Sequence, residues 1–421
     1  MKPFSLYLHI PFCFHKCPYC DFNTYAVSAI PEKEYVSALL AELDYRASLP
    51  EWRARVVQTI YFGGGTPSLF QPASIRKVIS AICKTFPLDE NAEISLEANP
   101  GTVTADSLAG YREAGVNRLS LGAQSFDRST LKTLGRMHSP EQIEAAVESA
   151  HGAGLHNINI DLIYGVPDQT LESLKEDLVR TLALKPTHVS PYGLTIEKGT
   201  PFHLSYKKGA LKLPKEDLVV SMMEEINDFL PMHGLHRYEV SNYSHIGKEA
   251  KHNLAYWSGT DYLGLGAGAH SFCADSFGGE HFGLRWSNFA LPVKYISETA
   301  AHGRADSWSD KLGYQDAMFE YFFLGLRKTA GITLKDFEAR FGTTVQSLYP
   351  ALLHILSEER LIKIDADRLA LTSRGFMLAD SVIENFIQPE KKVEAPPAVQ
   401  PAMTRAAESL DSDGPMVANF K

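Results

Sequence analysis

The feature that most narrows the fold is an alternation. Six short apolar runs read as strands: Ser5 to Ile10, Val57 to Phe62, Glu93 to Glu97, Arg118 to Ala123, His156 to Leu162 and His188 to Leu194. Between them, apolar residues recur at helical spacing over Ile30 to Leu49, Ile75 to Phe86, Ala105 to Ala114, Pro140 to Ala153 and Glu172 to Leu184, with Gly115 placed as a C-cap. Strand and helix alternating every ~30 residues predicts repeated βαβ units and a parallel sheet. Helices on both faces allow either an open doubly wound sheet or a barrel. The polar residues favour the barrel, because each strand ends in groups poorly suited to a core. These are a cysteine loop, Gly63-Gly64-Gly65, Glu97, Gln124 and Asp161. In (β/α) barrels functional residues gather at that end of the strands. Six units instead of eight leave such a barrel open at one side.

The loop after the first strand carries most of the chemistry. Pro11 ends the strand, since it cannot donate a ladder hydrogen bond. Cys13, Cys17 and Cys20 follow in a C-x3-C-x2-C spacing. Three thiolates on a short loop can converge on a cubane iron–sulfur cluster, leaving one iron without a protein ligand. A Cys3His zinc site completed by His9 or His15 is the other metal reading of the spacing. Cys83 and Cys273 stand alone and read as small buried hydrophobes.

The remaining chain divides differently. A helix is predicted over Leu211 to Phe229, then a dense segment from Arg237 to Trp257 and a glycine-rich run, GLGAGAHS, within Asp261 to Ser271. Helices at Tyr314 to Leu326, Leu334 to Phe341 and Val345 to Glu358 precede a hairpin turning at Asp365-Ala366-Asp367, then a helix from Ser373 to Ile387. Three helices and a hairpin resemble a winged-helix module. It has no basic recognition helix, so packing or partner docking is expected and not nucleic-acid binding. The proline-rich tail from Gln388 to Lys421 is expected to be disordered. The expected divisions are 1–230, 231–300, 301–388 and 389–421.

Over 421 residues, 44% hydrophobic and 22% charged content is ordinary for a globular protein. A formal net charge of −9 argues against a general nucleic-acid or anionic-membrane binder. No apolar run approaches the ~18 residues of a membrane span, and MKPFSLYLHI lacks the features of a signal peptide. Five cysteines, three of them clustered, suit a reducing compartment. A cytoplasmic location is expected.

The cysteine motif, with the aromatic Tyr19 before its last member, resembles the signature of the radical S-adenosylmethionine superfamily. Its flanks, YLHIPFC and CPYCDFN, are similar to the group containing oxygen-independent coproporphyrinogen III oxidase and the heme chaperone HemW. The resemblance implies a partial (β/α)6 barrel, a 4Fe-4S cluster on Cys13, Cys17 and Cys20, and S-adenosylmethionine on its open iron. It implicates Gly64, Gly65 and Thr66 of GGGTP with the methionine amino group. Glu97 in EANP, Gln124 in GAQSF, Arg136 in LGRMH and Asp161 in NIDLIYG carry over as further cofactor contacts. Arg136 suits a carboxylate and Asp161 a ribose, while Tyr7 and Tyr19 match positions lining the adenosyl group.

A second segment, HNLAYW from His252 to Trp257, resembles the HNxxYW heme motif of the chaperones. It makes His252 the candidate axial ligand, with Asn253, Tyr256 and Trp257 lining a pocket and His270 a weaker candidate. Two functions follow from the resemblance. One is a carrier that binds heme and hands it to apo-hemoproteins such as respiratory enzymes. The other is an oxidase that decarboxylates coproporphyrinogen III. Three features favour the carrier: Phe22 stands where the oxidase has a fourth cysteine, only six residues precede Tyr7, and HNxxYW is present.

Overall fold

The computed structural model describes residues 1–274 and 282–387. Strands β1 (Pro3–Ile10), β2 (Val56–Gly64), β3 (Leu88–Ala98), β4 (Arg118–Gln124), β5 (Ile158–Tyr164) and β6 (His188–Gly193) lie side by side in chain order. Each neighbouring pair is parallel. Helices α1 (Glu32–Ser48), α2 (Pro72–Thr85), α3 (Ala105–Ala114), α4 (Pro140–Gly152) and α5 (Leu171–Ala183) make the crossovers.

Side-chain alternation sorts each strand into two faces. On β1, Phe4, Leu6, Leu8 and Ile10 are fully buried, and Phe4 packs on Trp52 and Phe86. Tyr7 and His9 face the other way, and Tyr7 stacks on Tyr61 of β2. On α2 the stripe Ile75, Val78, Ile79 and Ile82 is buried against the sheet. Each such side chain contributes roughly 1.5–3 kcal/mol of burial. Cys83 falls off that stripe and is exposed, contrary to the expectation that it is buried. Cys273 is buried as expected. Helix ends follow local chemistry: Thr104 and Ser107 form a capping box on α3, and Gly115 closes it in the left-handed region at φ 110°.

The sheet curves into a partial barrel. Burial, then the charges of Asp161, Glu239 and Glu97, raise the Tyr192 hydroxyl pKa. The barrel does not close, because further strands extend both edges into a twelve-stranded mixed sheet. Beside β1 run Tyr262–Leu265 in parallel, then His270–Cys273, Leu284–Asn288 and Asp306–Lys311, each antiparallel to its predecessor. Beside β6 lie Tyr243–Ser244 and His236–Arg237. These added strands are two to six residues long. The two beside β6 are too short to show a period-2 signal, and Asp306–Lys311 is almost wholly exposed and so carries no apolar alternation.

A second core lies under the winged-helix-like module, where Phe322 stacks on Phe386 at 4.5 Å and packs on Phe337 and Tyr349. Its small sheet is Ile332–Thr333, Arg368–Leu371 and Ile362–Ile364. The helix expected over Val345 to Glu358 is two, Val345–Leu348 and Pro350–Glu358, because Pro350 cannot continue a helix. Ser373 to Ile387 is likewise two short helices, Ser373–Met377 and Ala379–Glu384. The helix predicted from Leu211 begins after Pro214, at Glu216, and ends at Met232. The tail expected to be disordered lies outside the described residues.

Glu42 of α1 joins the barrel to its extension. Its carboxylate accepts from Gly266 N at 3.1 Å, Tyr295 Oη at 2.8 Å and Asn288 Nδ2 at 2.8 Å, and it pairs with Arg46. Burial raises its pKa while Arg46 and these donors oppose the shift. Glu42→Ala removes the acceptor of Gly266 N and Tyr295 Oη and breaks the buried pair with Arg46, although Arg46 keeps Asp306 and Asn288 Nδ2 keeps Gly266 O. It is expected to cost roughly 3–5 kcal/mol, read as a lower midpoint in denaturant unfolding; an unchanged midpoint would show the network to be dispensable.

Candidate functional site

At the C-terminal rim of the strands, the chain leaves β1 as a loop from Pro11 to Asn23. Gly65 N donates to Ile10 O at 2.8 Å and Thr66 N to Phe12 O at 2.9 Å, so the glycine turn after β2 is stitched to this loop. Cys13, Cys17 and Cys20 are free thiols of intermediate exposure along it. Cys13 Sγ lies 3.4 Å from Thr66 Oγ1, and Cys20 Sγ lies 3.8 Å from Thr24 Oγ1. Arg136 Nη1 reaches Cys17 Sγ at 3.6 Å. Burial raises the Cys13 and Cys20 pKa values; hydrogen bonds and the nearby cations Arg136 and Lys16 counteract it.

Among the described residues, no three His, Cys, Asp or Glu side chains converge on a point fit for a single metal ion. His9 does not complete a Cys3His set, because both its nitrogens are engaged. Tyr7 Oη donates to Nδ1 at 2.9 Å, and Nε2–H donates to Asn23 O at 2.9 Å, the only sense a carbonyl permits. Burial lowers its pKa to about 4, so the ring is neutral. Three thiols on a loop, with a cation beside one of them, fit the corners of a cluster better than one tetrahedral ion.

The glycine turn is a cradle that side chains would fill. A Cβ on Gly64 would meet the His9 ring at 2.6 Å, and the residue is left-handed at φ 116°. A Cβ on Gly63 would strike Tyr61, Tyr7 and Glu97. Glu97 accepts from Tyr61 Oη at 2.7 Å and from Gly64 N at 3.1 Å. Burial, with Asp161 adding, raises its pKa to about 7 against the pull of those bonds. Arg136 is held by Gly122 O at 2.9 Å and by Asn99 Oδ1, which leaves its buried Nε without a partner. Burial works to lower the Arg136 pKa, but Tyr19 and Cys17 outweigh it and the net shift is upward.

Gln124 is left-handed at φ 69°, with a buried Oε1 that lacks a partner. Strain in a non-glycine residue and an orphaned acceptor together mark a built site. Asp161 lies deeper, bonded by Asn159 Nδ2 at 2.7 Å and Ser120 Oγ at 3.3 Å, and burial raises its pKa to about 6. Tyr19 packs at 6.2 Å from Phe202, among Leu134, Ile163, Val166 and Leu194. Tyr7 joins the glycine turn to the lumen. The cysteines, Gly64, Gly65, Thr66, Glu97, Arg136, Tyr7 and Tyr19 therefore share one rim. His9, Tyr61 and Asn99 belong to it too, although only their places inside the YLHIP, YFGGG and EANP runs pointed to them.

His252 adjoins these residues from a short helix (Lys251–Trp257), its ring centre 6.3 Å from that of Tyr7. Its Nδ1 bonds Thr59 Oγ1 at 2.7 Å, its ring stacks on Tyr61 at 4.8 Å, and Tyr256 meets it edge-on at 4.7 Å. Nε2 is buried without a partner, and burial lowers the pKa to about 3. His270 sits on the strand next to Tyr262–Leu265 and is exposed.

Residues 7–180 match the radical SAM superfamily model, and residues 314–378 match the HemN C-terminal domain. The heme chaperone HemW of Lactococcus lactis is 36% identical over 92% of this chain and 98% of its own length. HemW of Bacillus subtilis is 37% identical over 91% and 99%, and that of Escherichia coli 36% over 92% and 99%. The chain belongs to the HemW family. Among solved structures, coproporphyrinogen III oxidase (HemN) from Escherichia coli, a radical SAM enzyme, is similar at a TM-score of 0.78 and 25% identity. The match covers 91% of this chain and 90% of that one. Membership of the family accounts for both parts of the fold, the partial barrel and the C-terminal module. Among the described residues, no helix is long and apolar enough to cross a membrane.

The raised Glu97 pKa has a testable sign. Its folded value, about 7, exceeds its ordinary one, so its contribution to stability is greatest at low pH and is lost as pH rises through about 7. The melting temperature of Glu97→Gln relative to wild type is expected to rise by a few degrees between pH 5 and 7.5 and then level off. A gap that does not change with pH would place Glu97 in a solvated environment.

Proposed function

We propose that this chain is a cytoplasmic heme chaperone that carries a 4Fe-4S cluster and S-adenosylmethionine and passes heme to apo-hemoproteins. The observation that carries the reading is His252, a neutral imidazole with one nitrogen fixed by Thr59 and the other buried without a partner. Neutral imidazole is the form that ligates iron, and the bond on Nδ1 leaves Nε2 as the coordinating atom. Tyr61 and Tyr256 supply aromatic faces beside it. The names of the relatives support heme as the cargo.

At the rim, Cys13, Cys17 and Cys20 would hold the cluster. When bound and reduced, such a cluster supplies an electron to S-adenosylmethionine at its open iron. In this reading Gly64, Gly65 and Thr66 receive the methionine amino end, and Arg136 pairs with the carboxylate. Glu97 and Gln124 contact the cofactor, Asp161 takes the ribose, and Tyr7 and Tyr19 cover the adenosyl group. The orphaned Gln124 Oε1 and Arg136 Nε are groups that such a ligand would satisfy. Along the chain, residues 1–230 would form the cofactor barrel, 231–300 the heme segment and 301–388 a docking module for acceptors such as respiratory enzymes. Nucleic acid is not among the proposed partners.

The likeness to HemN in fold favours oxidative decarboxylation of coproporphyrinogen as a second reading. Against it, Phe22, at the position of the oxidase's fourth cysteine, offers no thiolate.

Replacing Cys13, Cys17 or Cys20 with Ala is expected to abolish iron and acid-labile sulfide in anaerobically reconstituted protein; unchanged content would overturn the cluster assignment. Anaerobic heme titration should give saturable binding with a shifted visible spectrum. His252→Ala is expected to weaken that binding by tenfold or more, as loss of an iron ligand would. Robust coproporphyrinogen consumption with S-adenosylmethionine and reductant would favour the oxidase.

A further inference from the structure

His252 is only 1% exposed, so no macrocycle can approach Nε2 while its helix stays in place. Both ends of that helix are held by buried carboxylates. At the N-terminal end Glu93 of β3 accepts from the backbone N–H of Lys251 and of His252, each at 3.2 Å. These are donors that a helix leaves unsatisfied. At the other end Trp257 Nε1 donates to Glu239 Oε2 at 2.7 Å, while Glu239 Oε1 accepts from Ser241 N at 3.0 Å.

The C-terminal module closes over this second end. Lys328 Nζ donates to Ser258 Oγ at 3.1 Å, and the Arg327 guanidinium lies 5.8 Å from the Trp257 ring centre. Thr329 N and Oγ1 donate to Tyr238 O at 3.0 and 3.1 Å, and Lys328 pairs with Glu239 as an isolated antiparallel bridge.

The two attachments differ in kind. Glu93 belongs to the barrel and grips backbone right beside His252. The Trp257 end is held by the indole bond to Glu239 and by side chains of a separate module, with the Lys328–Ser258 contact at the surface. Motion about the Glu93 end would leave His252 on Thr59 and lift Tyr256, which covers the imidazole edge-on and itself packs against Tyr262 at 4.6 Å.

We propose that the Lys251–Trp257 helix is a latched plug over His252. Heme reaches the imidazole when the Trp257 end releases Glu239 and the Arg327–Thr329 turn. Glu239 is thus a positioning residue for the ligand, and docking of the C-terminal module sets the rate of heme loading. The inference rests on His252 being the heme ligand.

The test is anaerobic stopped-flow mixing of heme with the full chain. The variants are Trp257→Phe, the surface pair Lys328→Ala with Thr329→Val, and His252→Ala. Loss of a hydrogen bond to a carboxylate is worth about tenfold in the latch equilibrium. Trp257→Phe is therefore expected to associate roughly tenfold faster. The Lys328/Thr329 pair, which loses bonds to the Ser258 hydroxyl and the Tyr238 carbonyl, is expected to associate about fivefold faster and to reach the wild-type spectrum. Because the second variant leaves the Trp257–Glu239 contact untouched, it serves if the first fails to fold. Association within twofold of wild type, with the His252→Ala spectrum altered, overturns the latch and leaves the ligand assignment standing. A wild-type spectrum in His252→Ala overturns the ligand assignment itself.

Discussion

The contact on which the site depends is that of the His9 imidazole with the bare Cα of Gly64. No side chain fits there, and a Cβ on the next residue, Gly65, would strike the backbone of Phe12 and Ile10, so the end of β1 and the turn after β2 lie in close contact. His9 then spends its second nitrogen on Asn23, and this fixes the far end of the cysteine loop. The same turn presents Gly64 N to Glu97 and Thr66 Oγ1 to Cys13. One close approach therefore sets the distance between the thiols, the glycine cradle and the acidic floor. Asn23 also reaches the opposite way, to Ala267 O and Ala290 O, so the loop is braced by the sheet extension as well as by the barrel.

The lumen below the rim pairs an apolar requirement with a polar one. A (β/α) barrel fills its interior with side chains, yet here the filling is Tyr7, Tyr61, Glu97, Asp161, Tyr192 and the His252 ring. Burying two carboxylates is costly, and of the two only Asp161 has a cation, Arg118, acting on it. The structure answers by satisfying them with hydroxyl, amide and backbone donors, and by pKa values high enough that neutral carboxyl groups are within reach near neutrality.

The six strands were legible because each is a short apolar run and most end in residues ill suited to a core, although Asp161 falls in the middle of β5 and not at its end. The cysteine loop, GGGTP and EANP were legible as short motifs on those ends. The extension strands were not, since Tyr243–Ser244 and His236–Arg237 are two residues each and exist only because β6 offers an edge. Cys83 was misread for a related reason: a cysteine's surroundings depend on which side of the helix stripe it falls. Glu93 and Glu239 carried no signal at all, because a glutamate that caps a helix from a distant strand, or that accepts one indole N–H, looks like any surface glutamate in one dimension.

Sequence by itself determined the periodicity, the placement of polar residues at strand ends and the identity of the donor atoms. Those are local properties, set by side-chain chemistry and by spacing along one chain. Tertiary structure alone decided that His252 enters the lumen, that its Nε2 is left unpaired, and that residues 93, 239 and 328 meet around its helix. Those facts depend on contacts between residues up to 193 positions apart, and no local pattern encodes which of many glutamates will be brought to one helix end.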